Sequence, residues 1–354
     1  MRRSLFCGIA ILSIASAAAA QHQHPTPAKS AAKAPQEQAT SGHHVGAHVT
    51  KAAVIRVTDD PATHTMTMRV GMLNLPANTD HTAATQLSDA IWEVPFDGWL
   101  TAYHPRLTNA QGATVPGRLL HHVAFWNASR SDFLCPNKEE HIFGAGGEMN
   151  DWPALPGFGY RVRKGDRIRV NTMFHNPTAT NYPQVWIEVK MEYVPANAAT
   201  AAQIKSVYPT WFDVQRCGDS GYDLAAGPNV TTGDFTLKHS GVLLGVGGHL
   251  HDYGTLLHLK NESRAETVAE LRSKLNEKGE IQSMPIVTFA ERGGYPLKQG
   301  EKIIVTAHYE NRTGKPLPDG AMGIVVGYFL PADDSQMAAY VRPAKPVNQQ
   351  AKAK

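Results

Sequence analysis

The residues best suited to chemistry in this chain are histidines on strand-like segments. In Gly245-Val246-Gly247-Gly248-His249-Leu250-His251-Asp252-Tyr253-Gly254, an apolar run enters from Val242 and an alternating run, Thr255 to Leu259, leaves. Side chains at i and i+2 of an extended segment share a face. His249 and His251 therefore stand side by side, as a transition metal that keeps other coordination positions open requires. Alone, such a pair is equally well a polar strand end. Here it has company: His121-His122 lies within Leu119 to Trp126, His175 closes Thr172-Met173-Phe174-His175-Asn176, and Met322 opens the apolar run to Tyr328.

Each cluster carries its own constraint. His121 and His122 are neighbours and face opposite sides of a regular strand, so a metal held by both needs a bulge. Without one, the pair reads as one core and one exposed histidine. His175 ends an apolar strand directly before Asn176-Pro177, where the chain must turn. A site of three imidazoles suits copper or zinc. A thioether such as that of Met322 is a soft, weak ligand that selects Cu(I) and suits zinc, iron or magnesium poorly; otherwise a strand Met is core filler.

The elements that must position these residues are short strands. With 18% charged and 8% aromatic residues, 30 Gly and 23 Pro, the composition suits a turn-rich β protein. At 354 residues there is length for two domains. A formal charge of +3 is too small and dispersed for a nucleic-acid partner. Arg2-Arg3, the apolar stretch Leu5 to Ile14 and Ala18-Ala19-Ala20 read as an export signal over 1–20. No later run approaches a membrane span, so an exported, periplasmic or extracellular protein is expected. Residues 21–49 read as a disordered tether with His22, His24, His43, His44 and His48. The tail 335–354 reads as flexible. Cys7 leaves with the signal; Cys135 and Cys217 remain as a disulfide, as free thiols or, less simply, as a thiolate ligand.

An internal repeat organises the rest. The segment Gly159-Tyr160 to Ile168-Arg169-Val170, with Lys164-Gly165-Asp166 at its turn, recurs as Gly294-Tyr295 to Ile303-Ile304-Val305, with Gln299-Gly300-Glu301. Pro195-Ala196 recurs as Pro331-Ala332. The turn at Gly165 reads as a hairpin over 160–174. Two copies of one β domain follow, 50–196 and 229–334, joined by a linker 197–228. The expected fold is all-β, two tandem antiparallel jelly-roll β-sandwiches with a cleft between them. The His121-His122 and His249-x-His251 strands are expected at corresponding places. Trp186 falls opposite Met322, and His175 opposite Glu310 or Asn311.

His-His, a later His, His-x-His and a later Met, in this order over roughly residues 50–334, resemble the copper type II, ascorbate-dependent monooxygenases, the family of peptidylglycine α-hydroxylating monooxygenase and dopamine β-monooxygenase. The segment Leu155 to Val162 before His175 fits as well. The resemblance implies two coppers: His121, His122 and His175 would hold an electron-donating ion, and His249, His251 and Met322 an oxygen-activating one. The implied partners are a small-molecule substrate, O₂ and a reductant such as ascorbate. The peptide-hydroxylating member has an Arg two residues before its His-x-His, where Gly247 stands here, and polar residues after its Met, where Ile324 and Val326 stand. An apolar substrate pocket is expected. The alternative from another class is a non-catalytic copper protein that stores, buffers or delivers the metal.

Overall fold

The computed structural model describes residues 50–149 and 151–343. The expected signal (1–20), the tether (21–49) and the tail from 344 lie outside the described residues. In the first half the main strands are β1 (Val54–Asp60), β2 (Thr65–Leu75), β3 (Ala90–Glu93), β4 (Gly98–Thr108), β5 (Leu120–Ser131), β6 (Glu139–Gly146), β7 (Phe158–Val162), β8 (Arg167–Phe174) and β9 (Tyr182–Pro195). In the second they are β10 (Lys205–Asp213), β11 (Gly227–Thr236), β12 (Gly241–Leu250), β13 (Gly254–Asn261), β14 (Glu266–Arg272), β15 (Tyr295–Leu297), β16 (Lys302–Asn311) and β17 (Gly323–Pro331). Helix among the described residues is limited to short 3-10 turns, and no helix there is long and apolar enough to cross a membrane.

The chain folds as two antiparallel β-sandwiches of jelly-roll type. Strand burial alternates with period two, plainest in β8 and β16, so one face of each turns inward. The first four-stranded sheet, β3-β8-β5-β6, shares a core with β2, β9, β4 and β7 through Val70, Val123, Phe125, Ile168 and Val189. The second, β11-β16-β13-β14, shares one with β10, β17 and β12 through Phe212, Val246, Leu257, Val305 and Phe329. The large sheets of the two halves are one ten-stranded sheet, continuous through a parallel pairing of β7 with β10 (Phe158 with Lys205 to Tyr160 with Val207).

Strand β10 lies inside the stretch expected as linker. A proline is disfavoured in a central strand, yet β10 carries Pro209 with Val207, Tyr208 and Phe212 buried around it. The expected hairpin over 160–174 is also absent. The turn at Gly165 exists, with φ of 88°, but β7 joins the large sheet and β8 the small one. Its counterpart at Gly300, with φ of 86°, likewise carries the chain from β15 in one sheet to β16 in the other. A corner between sheets and a hairpin use the same turn residues, so local sequence does not tell them apart. Of the tail, Asp334–Tyr340 forms a 3-10 turn with Met337 buried, and Arg342 donates to Ser131 Oγ at 2.9 Å.

Equivalent strands reveal one mismatch with expectation. The order β3-β8-β5-β6 matches β11-β16-β13-β14, and β9-β4-β7 matches β17-β12-β15. The strand of His121-His122, β5, therefore corresponds to β13, whereas the strand of His249, β12, corresponds to β4. The histidine pairs are not at corresponding places. Other equivalences are close. Asn176 donates to Leu75 and Thr180 carbonyls and accepts from Thr178. Asn311 does the same with Ala225, Lys315 and Thr313. His175 is thus matched by Glu310.

Cys135 and Cys217 form a disulfide across 82 residues, so neither is a thiolate ligand. On the chain-entropy account such a loop stabilises by ~4 kcal/mol. Beside it, buried Asp132 accepts the backbone N–H groups of Leu134 and Cys135 through Oδ1. Burial pushes its carboxyl up to about 7, against those two N–H groups. A raised carboxyl binds its proton more tightly folded than unfolded, so stability is lost as pH climbs from about 4 towards 7. Asp132→Asn keeps the Oδ1 acceptor without the charge. Chemical denaturation should show wild type losing ground to this variant between pH 5 and pH 8; parallel profiles would show that Asp132 does not titrate there.

Candidate metal centre

The bulge that His121 and His122 require is present. Met173 pairs with His122 and Phe174 with Leu120, so His121 is the extra residue on β5. The two rings consequently approach through Nδ1, at 3.2 Å. Two nitrogens bonded to one metal at about 2.0–2.1 Å and tetrahedral angles lie ~3.3 Å apart, so this spacing fits a shared ion. The other nitrogen of His122, Nε2, faces Asn171 Oδ1 at 3.3 Å, and Asn171 Nδ2 in turn donates to Asp89 Oδ1 at 2.8 Å. With the amide oxygen accepting, His122 carries its proton on Nε2 and keeps a lone pair on Nδ1, a tautomer assigned from the network. His175 follows β8, hydrogen-bonded to the Arg118 backbone, with its ring centroid 5.4 Å from that of His121.

In the second half β12 ends at Leu250, and His249 and His251 present rings 5.3 Å apart. His249 Nδ1 meets Glu148 Oε1 at 2.9 Å. Nε2 of His249 and Nε2 of His251 are buried without a hydrogen-bond partner. Unpaired imidazole nitrogens in such places are rare in folded chains, and both fit a cation. Met322, just before β17, is buried. The Tyr309 hydroxyl holds the two ends of this set together: it accepts from the N–H of His251 at 2.9 Å and of Met322 at 3.1 Å, and donates to the Met322 carbonyl.

The halves meet at His121. Its ring centroid lies 4.4 Å from that of His251 and 4.5 Å from that of His81. A cavity of about 510 Å³ is bordered by His81, His121, His175, His249 and His251. A smaller one of about 50 Å³ is bordered by His122, His249 and Met322, with Trp126 and Trp211 in its wall. The six expected residues are therefore divided between two adjoining chambers, with His249 bordering both. Among the described residues, no three His, Cys, Asp or Glu side chains are gathered as a complete site; pairs are. The apolar lining expected from Ile324 and Val326 belongs to the smaller chamber. The larger carries the charged residues Asp80, Arg118, Asp252, Glu280 and Asp319 at its border beside apolar ones such as Leu120, Ile281 and Leu317, and Arg118 is paired with Glu280 at 2.8 and 2.6 Å. At Gly247 a Cβ would lie 2.7 Å from the Trp152 ring, which leaves no room for an arginine.

Burial, reinforced by neighbouring imidazoles, holds His121 and His251 well below the usual histidine range. Burial lowers His175 to about 4. Neutral imidazole is the form that binds metal. For His249 burial acts the same way, but the Glu148 carboxylate outweighs it and the net direction is upward.

Glu148, Tyr309, His81 and Asn171 were not singled out from sequence. Glu148 sits in a Gly-rich stretch that reads as loop, and its partner is distant along the chain. Tyr309 looks like one more inward residue of an alternating strand. Its removal gives a direct test: Tyr309→Phe strands two buried N–H groups and a carbonyl. The cost should be roughly 2–4 kcal/mol by denaturation, and any metal held by His249 and His251 should be lost while any held by His121 and His122 is retained. A variant of wild-type stability and unchanged metal content would refute the tie.

No family model matches the sequence. The chain is similar to the "probable copper-dependent oxygenase clz3" of Cochliobolus lunatus, 27% identical over 233 residues, covering 60% of this chain and 71% of that protein. It is also similar to the "probable copper-dependent oxygenase M1" of a Phoma species, 25% identical over 250 residues, covering 65% of this chain and 62% of that one, under two thirds of its length. Among solved structures, the major capsid protein P2 of bacteriophage PM2 aligns with TM-score 0.30 and 10% identity over 75% of this chain and 98% of its own. A chain of Sulfolobus turreted icosahedral virus aligns with TM-score 0.32 and 10% identity over 82% and 96%. These last likenesses are too slight to bear on anything further. By sequence, the chain is a distant homologue of proteins named copper-dependent oxygenases.

Proposed function

We propose that this protein is an exported dicopper monooxygenase that hydroxylates a C–H bond of a small substrate. The observation that carries the reading is two imidazole pairs set beside each other, with the rings of His121 and His251 4.4 Å apart by centroid: the facing Nδ1 atoms of His121 and His122 at 3.2 Å and the partnerless Nε2 atoms of His249 and His251. The names of the two relatives support copper as the metal. His121, His122 and His175 would hold one ion, and His249, His251 and Met322 the other. Bound copper would supply one-electron chemistry between Cu(I) and Cu(II) and a site for O₂. In the net reaction, substrate C–H, O₂, two electrons and two protons give C–OH and water, the electrons coming from a reductant such as ascorbate.

The chain's own residues supply the rest. The chamber of about 510 Å³ lies within the range of small-molecule sites and borders four of the six residues, so it is the place for the substrate. The Met322 thioether would favour Cu(I) over Cu(II). Ala145, Ile324 and Val326 line the smaller chamber beside Met322 and would limit water there. The Cys135–Cys217 disulfide fits an oxidising compartment.

Elemental analysis should find about two coppers per chain. Replacing His121 and His122 by Ala should remove one and leave the other, and a single zinc indifferent to either pair of substitutions would end the copper reading. Oxygen uptake with ascorbate, coupled to a hydroxylated product across a substrate panel, separates an oxygenase from a copper carrier, which only exchanges metal.

Met322→Leu nearly conserves volume and should cost under ~1.5 kcal/mol, yet abolish most hydroxylation and alter Cu(I) spectroscopy. A variant with wild-type turnover would reduce Met322 to packing.

A further inference from the structure

We propose that Glu148, contributed by the first sandwich, is the positioning residue that presents His249 to its metal through Nε2. The inference rests on the copper reading above. Glu148 follows β6 in the turn Gly146-Gly147-Glu148-Met149, closed by the Met149 N–H on the Gly146 carbonyl at 3.0 Å. Its side chain is 1% exposed. Oε1 accepts two N–H groups, from Gly146 at 3.0 Å and from His249 Nδ1 at 2.9 Å.

A carboxylate only accepts, so the proton of His249 sits on Nδ1 and the lone pair on Nε2. Nε2 is the atom left buried without a partner. The geometry therefore selects both the tautomer and the ring orientation, as carboxylates behind metal-bound histidines do. Sequence makes room for this contact. A Cβ at Gly146 would lie 2.6 Å from Glu148 Oε2 and 2.6 Å from His249 Cε1, so only glycine lets the carboxylate and the ring meet there. The consequence crosses the molecule. His249 belongs to β12 of the second half, but its ligand nitrogen is chosen by a residue of the first, and both border the two chambers.

The test uses Glu148→Ala, Glu148→Gln and Gly146→Ala in the full chain, with two readouts. Long-range ¹⁵N–¹H NMR on the metal-free protein, with His249→Ala identifying the signal, reports the tautomer. Chelator competition with Cu(I), in a His121→Ala/His122→Ala background, reports affinity at the His249–His251 site. Wild type should show Nδ1–H at His249. Glu148→Ala should give a tautomer mixture and bind Cu(I) roughly 10–100-fold more weakly. Gly146→Ala should reproduce that loss with the carboxylate in place. Glu148→Gln still offers an oxygen acceptor and should recover most of the affinity and the tautomer, which a residue serving only as a clasp between halves does not require. An unchanged tautomer and wild-type affinity in Glu148→Ala, with only thermal stability lowered, would overturn the proposal. Absence of Cu(I) binding in the parent would instead sink the copper reading, and the NMR measurement would still decide whether Glu148 sets the His249 nitrogen.

Discussion

Everything at the candidate metal centre depends on the two sandwiches being fixed by backbone hydrogen bonds in one sheet. The parallel pairing of β7 with β10 makes the large sheets continuous, and three side-chain ties reinforce it. Arg118 of the first half grips Glu280 of the second, the disulfide joins Cys135 to Cys217, and Arg342 returns to Ser131. Domains linked only by a flexible segment would let the rings of His121 and His251 drift apart. Here they sit with centroids at 4.4 Å, because the strands that carry them belong to sheets that cannot slide without breaking ladder bonds.

The repeat explains the scaffold and leaves the site unexplained. Asn176 and Asn311 close equivalent turns with equivalent hydrogen bonds, yet the preceding residue is His175 in one copy and Glu310 in the other. His121 and His122 ride on β5, whose counterpart β13 offers no such pair, while His249 rides on β12, the counterpart of β4. Each sandwich supplies a different face to a common region. An asymmetric site suits a division of roles between two metals, because identical ligand sets would give them identical preferences.

How much of this was legible follows from the range of each interaction. The six candidate ligands, the need for a bulge at His121-His122 and the Asn176 turn are short-range features and stood in the sequence. The sheet to which each strand belongs is not short-range, so the turn at Gly165 read as a hairpin, and β10 was hidden between an Ala-rich approach and the Gly/Asp-rich stretch around Cys217. Glu148 and Tyr309 were illegible for the same reason: each acts on a residue far along the chain, and neither has a local pattern that differs from loop or core. Gly146 and Gly247 carried a faint signal as glycines beside strand-like segments, but only the positions of Trp152 and His249 say what their missing side chains make room for.

Burial acts on both the protonation and the stability of the site, and at His249 the Glu148 carboxylate outweighs it. Burial and mutual repulsion hold His121 and His251 neutral, and a neutral imidazole is a ligand where an imidazolium is not. The same burial leaves Nε2 of His249 and of His251 without hydrogen-bond partners, at a cost of about 1–3 kcal/mol for each such group. A cation bound to these nitrogens would offset that cost by mass action, since whatever binds the native state and not the unfolded one stabilises it. On the proposed reading, these nitrogens would tie the stability of the second sandwich to a bound metal.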